Sequence, residues 1–153
     1  MDQESTPFPE RLPESGSRSF ARYLPMIGRI VLGLLFCVTG LNGFLNFLPQ
    51  PATPMPEGAL AFAGAMLKTG YLFPLVMGTQ LIAGVMLLAN RFVPLALSLL
   101  APVVVNIFAF HAFLAPSGLG VAGVVLVLEI SLAWSYRKAY RPMLRMRATP
   151  GGE

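Results

Sequence analysis

A chain of 153 residues has the length of one domain, yet 55% of it is hydrophobic and only 12% is charged, against about a quarter charged in ordinary soluble domains. That balance excludes a soluble globular domain and points to an integral membrane protein. The net charge of +4 does not argue for nucleic acid, because the basic residues lie between and beside the apolar stretches, where they anchor a membrane protein.

The opening, MDQESTPFPERLPESGSRS, is polar and acidic where a secretory leader needs a basic start and an apolar core, so no signal peptide is expected. Residues 1–22 carry too few apolar side chains to offset the entropy of folding and are expected to form a disordered tail.

Met26 to Leu48, MIGRIVLGLLFCVTGLNGFLNFL, runs for about 23 residues with one charge, Arg29. At a rise of about 1.5 Å per residue it spans a hydrocarbon core of about 30 Å. Gly33, Gly40 and Gly43 permit close helix packing. Thr39, Asn42 and Asn46, spaced at i, i+3 and i+7, form one polar stripe along the last turns. Cys37 lies inside the same run and is the single cysteine, which excludes an internal disulfide and a CxxC redox pair.

Pro49 and Pro51 end the first span. In the following QPATPMPEGALAFAGAMLKTG, Pro56 and Glu57 suit a helix start and Gly70 a stop. About a dozen residues cannot cross a bilayer, so this helix is expected to lie at the interface or to re-enter.

The remaining spans are expected at about 71–90, 91–115 and 119–136. Pro74 and Pro94 occupy first turns, where a missing N–H costs little, whereas Pro102 in mid-span is expected to kink its helix or to free the carbonyl of Ser98. Almost no loop separates the second and third spans, which predicts a tight antiparallel hairpin. Trp134, Tyr136 and Tyr140 beside Arg137, Lys138 and Arg141 read as an interfacial belt, and residues 141–153 as a basic tail.

Four spans put both termini on one side. That side collects Arg11, Arg18, Arg22, Arg29, Arg91, Arg137, Lys138, Arg141, Arg145 and Arg147, while the other has Lys68 alone. The positive-inside rule therefore predicts cytoplasmic termini.

Counted from the outer helix ends, Asn42 and Asn106 come out about 10 Å deep and Gln80 and Glu129 about 15 Å deep, with Asn46 and His111 nearer the mouth. The expectation is one polar, ligand-binding pocket built from Asn42, Asn46, Gln80, Asn106, His111 and Glu129. The bland alternatives are interhelical hydrogen bonds for the amides and an interfacial polar tip for His111. Glu129 is the only acid in the spans, and an intramembrane acid is a functional hypothesis by default. A neutral Glu129 bonded to Gln80 is the expected arrangement. One His, one Cys and one intramembrane Glu do not make a metal or haem site, and there is no P-loop, GxGxxG after a strand or GxSxG.

RIVLGLLFCVTGLNGF, GTQLIAGVMLLANRFVPLALSLLAPVVVNIFAFHAFLAP and LAWSYRKAYRPML together resemble the DoxX family of small bacterial membrane proteins, over about residues 26–145. The resemblance implies an all-α membrane four-helix bundle, over about residues 23–140, in the bacterial cytoplasmic membrane. Its name-giving members belong to a thiosulfate:quinone oxidoreductase or terminal oxidase complex, which implies an accessory or quinone-facing subunit with a quinone ligand and a redox partner. Many relatives carry a glutamate where Gln80 stands and a basic residue near Gly43; both positions are neutral here. The competing expectations are a binder or carrier of a small lipid or hydrophobic metabolite, and a structural assembly factor.

Overall fold

The computed structural model describes residues 17–49 and 54–143, and among them every regular element is helical. The order is α1 (Ser17–Leu45), α2 (Glu57–Lys68), α3 (Leu72–Leu88), α4 (Val93–Phe113), a 3₁₀ turn (Pro116–Gly118), α5 (Leu119–Ser135) and the single turn α6 (Arg137–Tyr140). Helix α1 begins at Ser17, inside the segment expected to be a tail; the rest of that segment and residues 144–153 lie outside the described residues.

The helix ends follow local chemistry. Asn46 adopts a positive φ of 48° as α1 stops, and its N–H reaches the Asn42 carbonyl at 2.7 Å. Gly70, at φ 75°, ends α2 in the left-handed conformation that glycine takes without penalty. Asn90 and Phe92 take positive φ values of 54° and 55° to turn α3 into α4 within four residues, giving the expected tight hairpin. Helix α4 continues from Val93 to Phe113 with Pro102 inside it.

Segments 23–45, 93–113 and 116–135 are each long and apolar enough to cross a membrane. Helix α3, at 17 residues, is about 25 Å long and falls short of that test alone. With α2 it passes, but the two are bent by 92° at the break. The chain is therefore a multi-pass membrane protein whose described residues are all-helical and hold three or four candidate crossings. Large apolar side chains such as Leu34, Val85, Val105, Val127 and Ile130 are exposed around the outside, as a surface facing lipid requires.

The most extensive packing is α1 on α3, followed by α4 on α5, α3 on α4 and α1 on α5. Buried between them are Leu32, Phe36, Ala83, Leu87, Leu97, Leu100, Val104 and Leu132. The α1–α3 seam is a glycine contact. A Cβ on Gly40 would stand 2.7 Å from the Leu81 nitrogen, and one on Gly84 would stand 2.7 Å from the Cys37 nitrogen. Only hydrogen fits at those points, and the two backbones touch.

Arg29 closes one end of this seam. It is 9% exposed and donates to the carbonyls of Leu87 and Leu88 at the end of α3, the second at 3.5 Å. A cation there complements the negative end of the helix dipole.

Candidate functional site

Each half of the packed helices holds one principal opening. The first occupies the half nearest the α1–α2 connection and the 3₁₀ turn. It is a cavity of about 390 Å³ with walls from α1, α3, α4 and α5, chiefly Leu35, Phe36, Met77, Ile107 and Val125. Its polar lining comes from Thr39, Asn42, Gln80 and His111.

Thr39 joins α1 to α3. Its hydroxyl lies 2.9 Å from the Leu35 carbonyl and 2.9 Å from the Gln80 side-chain amide. The hydroxyl donates, and its one proton is shared between the Leu35 carbonyl and Gln80 Oε1. That leaves the Gln80 NH₂ to donate to other partners. Asn42 Oδ1 accepts from the Leu48 N–H at 2.7 Å, tying down the chain beyond α1.

His111 sits on the last turn of α4. Its Nδ1 lies 3.1 Å from the Ala115 carbonyl. A carbonyl only accepts, so Nδ1 carries the hydrogen and Nε2 of the neutral ring is the acceptor. The ring packs edge-on to Phe110 and fills the space beside Gly118, where a Cβ would collide with the imidazole.

The second opening lies in the other half. It is a groove of about 460 Å³ between α4 and α5, lined by Leu97, Ser98, Ala101, Glu129, Ile130, Ala133, Trp134, Arg137 and Tyr140. Glu129 is 4% exposed, and both carboxyl oxygens are buried without a hydrogen-bond partner. Ser98 and Tyr140 each donate to the Pro94 carbonyl at 2.9 Å. Arg137 donates to the Trp134 carbonyl at 3.0 Å and its guanidinium stands 5.2 Å from the centre of the Trp134 ring. Burial pushes the Tyr140 phenol above its ordinary range, the negative charge of Glu129 adds to this, and a hydrogen bond with Ser98 works against it.

The six residues expected to share one pocket are thus divided. Asn42, Gln80 and His111 line the cavity, and Glu129 lines the groove at the opposite half. Asn106 is exposed and lines smaller openings beside Phe62 of α2. Asn46 is exposed beyond the end of α1. The expected Glu129–Gln80 hydrogen bond is absent: Gln80, 5% exposed, pairs with Thr39 instead. Depth counted along two helices says nothing about direction around them, and here Gln80 turns to Thr39 of α1 while Glu129 turns to the groove between α4 and α5. The groove's Ser98, Arg137 and Tyr140 are the functional candidates that spacing alone did not single out. A hydroxyl in an otherwise apolar turn was the available signal for Ser98. Among the described residues no three of His, Cys, Asp and Glu gather in a way that would hold a metal ion.

A family model described as DoxX matches residues 24–112, more than half of the chain and the stretch carrying Thr39, Asn42, Gln80 and His111. No curated protein and no solved structure gives a match.

Proposed function

The chain belongs to the DoxX family, and from that premise we propose that it is a four-helix protein of the bacterial cytoplasmic membrane whose cavity receives the head group of a quinone for a partner oxidoreductase subunit. The observation that carries this reading is the convergence of Thr39, Asn42, Gln80 and His111 on one otherwise apolar cavity. The charge distribution along the sequence supports cytoplasmic termini, with the cavity toward the outer leaflet and α2 lying across its side of the membrane.

The polar lining suits a flat ring bearing oxygens. The Gln80 amide donates to a carbonyl, and the free Nε2 of His111 accepts from a hydroxyl, so both oxidation levels of such a ring find a partner. The apolar walls take the ring and the start of its tail. In this role the chain positions the head group and exchanges hydrogen bonds with it, while the partner subunit supplies the redox centre.

The test is a fluorescence or absorbance titration of the purified chain with a water-soluble quinone analogue. Binding that weakens about tenfold or more in Gln80→Leu and His111→Phe supports the reading; equal binding by the wild type and both variants overturns it. A second reading, a binder of a small lipid, is favoured by the predominance of Leu35, Phe36, Ile107 and Val125 in the walls. It predicts a stoichiometric extractable lipid that both polar substitutions leave in place.

A further inference from the structure

The cavity leaves Glu129 unexplained. It is the one acid among the apolar spans, 4% exposed, with neither oxygen hydrogen-bonded, and it lines a groove whose other side chains are mostly apolar or aromatic. A buried carboxyl without hydrogen-bond partners favours a proton or a cation over standing as an isolated carboxylate, which is costly.

Among the described residues none supplies such a cation. Arg137, on α6, is held by the Trp134 carbonyl and ring. Arg29, on α1, is turned to the carbonyls ending α3. On α4 the facing group is Ser98, and on α6 Tyr140; both hydroxyls donate to the Pro94 carbonyl. The described residues thus leave the counter-charge to a ligand. The approach is lined by Ile130 and Trp134, 59% and 69% exposed on the lipid-facing surface, and by the Tyr140 ring. Apolar walls select an apolar body, the Tyr140 ring offers an aromatic face to a cation, and the acid completes its charge.

We propose that the groove between α4 and α5 is an exchange site in which a lipophilic organic cation and a proton compete for the Glu129 carboxyl. Binding of one such cation releases the carboxyl proton to water at the α6 end, and reprotonation expels the cation. No bond other than the carboxyl O–H is broken. The groove shares no residue with the proposed quinone cavity, so the two sites stand or fall separately.

The experiment measures binding of tetraphenylphosphonium to the purified full chain in lipid nanodiscs by equilibrium dialysis from pH 5 to 9, with proton release followed in weak buffer. The expected result is saturable binding, release of about one proton per cation at acidic pH, and affinity that falls about tenfold per pH unit on the acid side. Glu129→Gln should lose this binding by tenfold or more, while Glu129→Asp retains its pH dependence. Neutral triphenylphosphine oxide, of similar shape, should bind at least tenfold more weakly. Binding without proton release, equal binding by Glu129→Gln, or equal binding of the neutral compound would each overturn the proposal. Quinone-analogue titration of Glu129→Gln reports separately on the cavity and on folding.

Discussion

The Thr39 hydroxyl and the Gln80 amide meet at 2.9 Å across the α1–α3 interface, where Gln80 is 5% exposed. This pair fixes the amide at the wall of the cavity and leaves its other end to a ligand. Thr39→Val keeps the shape and removes the hydroxyl, so the amide loses its tether. Intramembrane hydrogen bonds contribute about 0.6 to 2 kcal/mol, and thermal or denaturant unfolding in a fixed detergent should show a loss in that range. Quinone-analogue affinity should fall along with it, because the freed amide samples more than one orientation.

Apolar run length located α1, α4 and α5 to within a few residues at most ends, and Pro56, Glu57 and Gly70 located α2. The faces of the helices were less legible. In water a helix shows its buried side by a stripe of apolar residues, but here lipid-facing Val127 and Ile130 are as apolar as core Val125 and Leu132. Depth could be counted along the chain and azimuth could not, which is why Gln80 and Glu129 were expected to touch. The glycines of α1 were the better guide, since a missing side chain marks a close approach whatever the solvent. The turn of Asn106 toward Phe62 depends on where α2 lies, and no local pattern encodes that.

Gly40 offers a direct test of the seam. A methyl group there would stand 2.7 Å from the Leu81 nitrogen and 2.8 Å from the Met77 oxygen, both backbone atoms that cannot rotate away. Gly40→Ala should force α1 and α3 apart at a cost of about 1 to 3 kcal/mol. Gly123 in α5 has nothing within 4 Å of its Cβ position, so Gly123→Ala should be neutral or stabilise by up to about 1 kcal/mol through helix propensity. Unfolding of the two variants side by side in one detergent separates them; equal behaviour would refute the packing argument.

Gly118 holds His111 in place by being small. A Cβ at residue 118 would overlap the imidazole, and the ring can yield only by giving up its 3.1 Å contact with the Ala115 carbonyl. Gly118→Ala should therefore reorient His111, with a modest stability loss of about 1 to 2 kcal/mol. The specific readout is the His111 ring resonances in a histidine-labelled sample: the Nδ1–H tautomer expected of the wild type should give way to a mixture. Quinone-analogue binding should weaken by about as much as in His111→Phe.

Tyr140 ties α6 to the start of α4 through its 2.9 Å bond to the Pro94 carbonyl. Tyr140→Phe should cost about 0.5 to 1.5 kcal/mol at neutral pH. Burial, then the charge of Glu129, hold the phenol above its ordinary 10.0, outweighing the hydrogen bond with Ser98. The folded state therefore keeps this proton at a pH where the unfolded chain has released it. The stability linked to Tyr140 is complete below about pH 10 and declines as pH rises through the folded-state value. Unfolding between pH 8 and 11 should show the advantage of the wild type over Tyr140→Phe shrinking only in the upper part of that range. Phenolate absorbance assigns the effect, because the late-titrating component disappears in Tyr140→Phe and moves to lower pH in Glu129→Gln. A late component unmoved by removing the Glu129 charge would show that Tyr140 and Glu129 do not share the groove electrostatically.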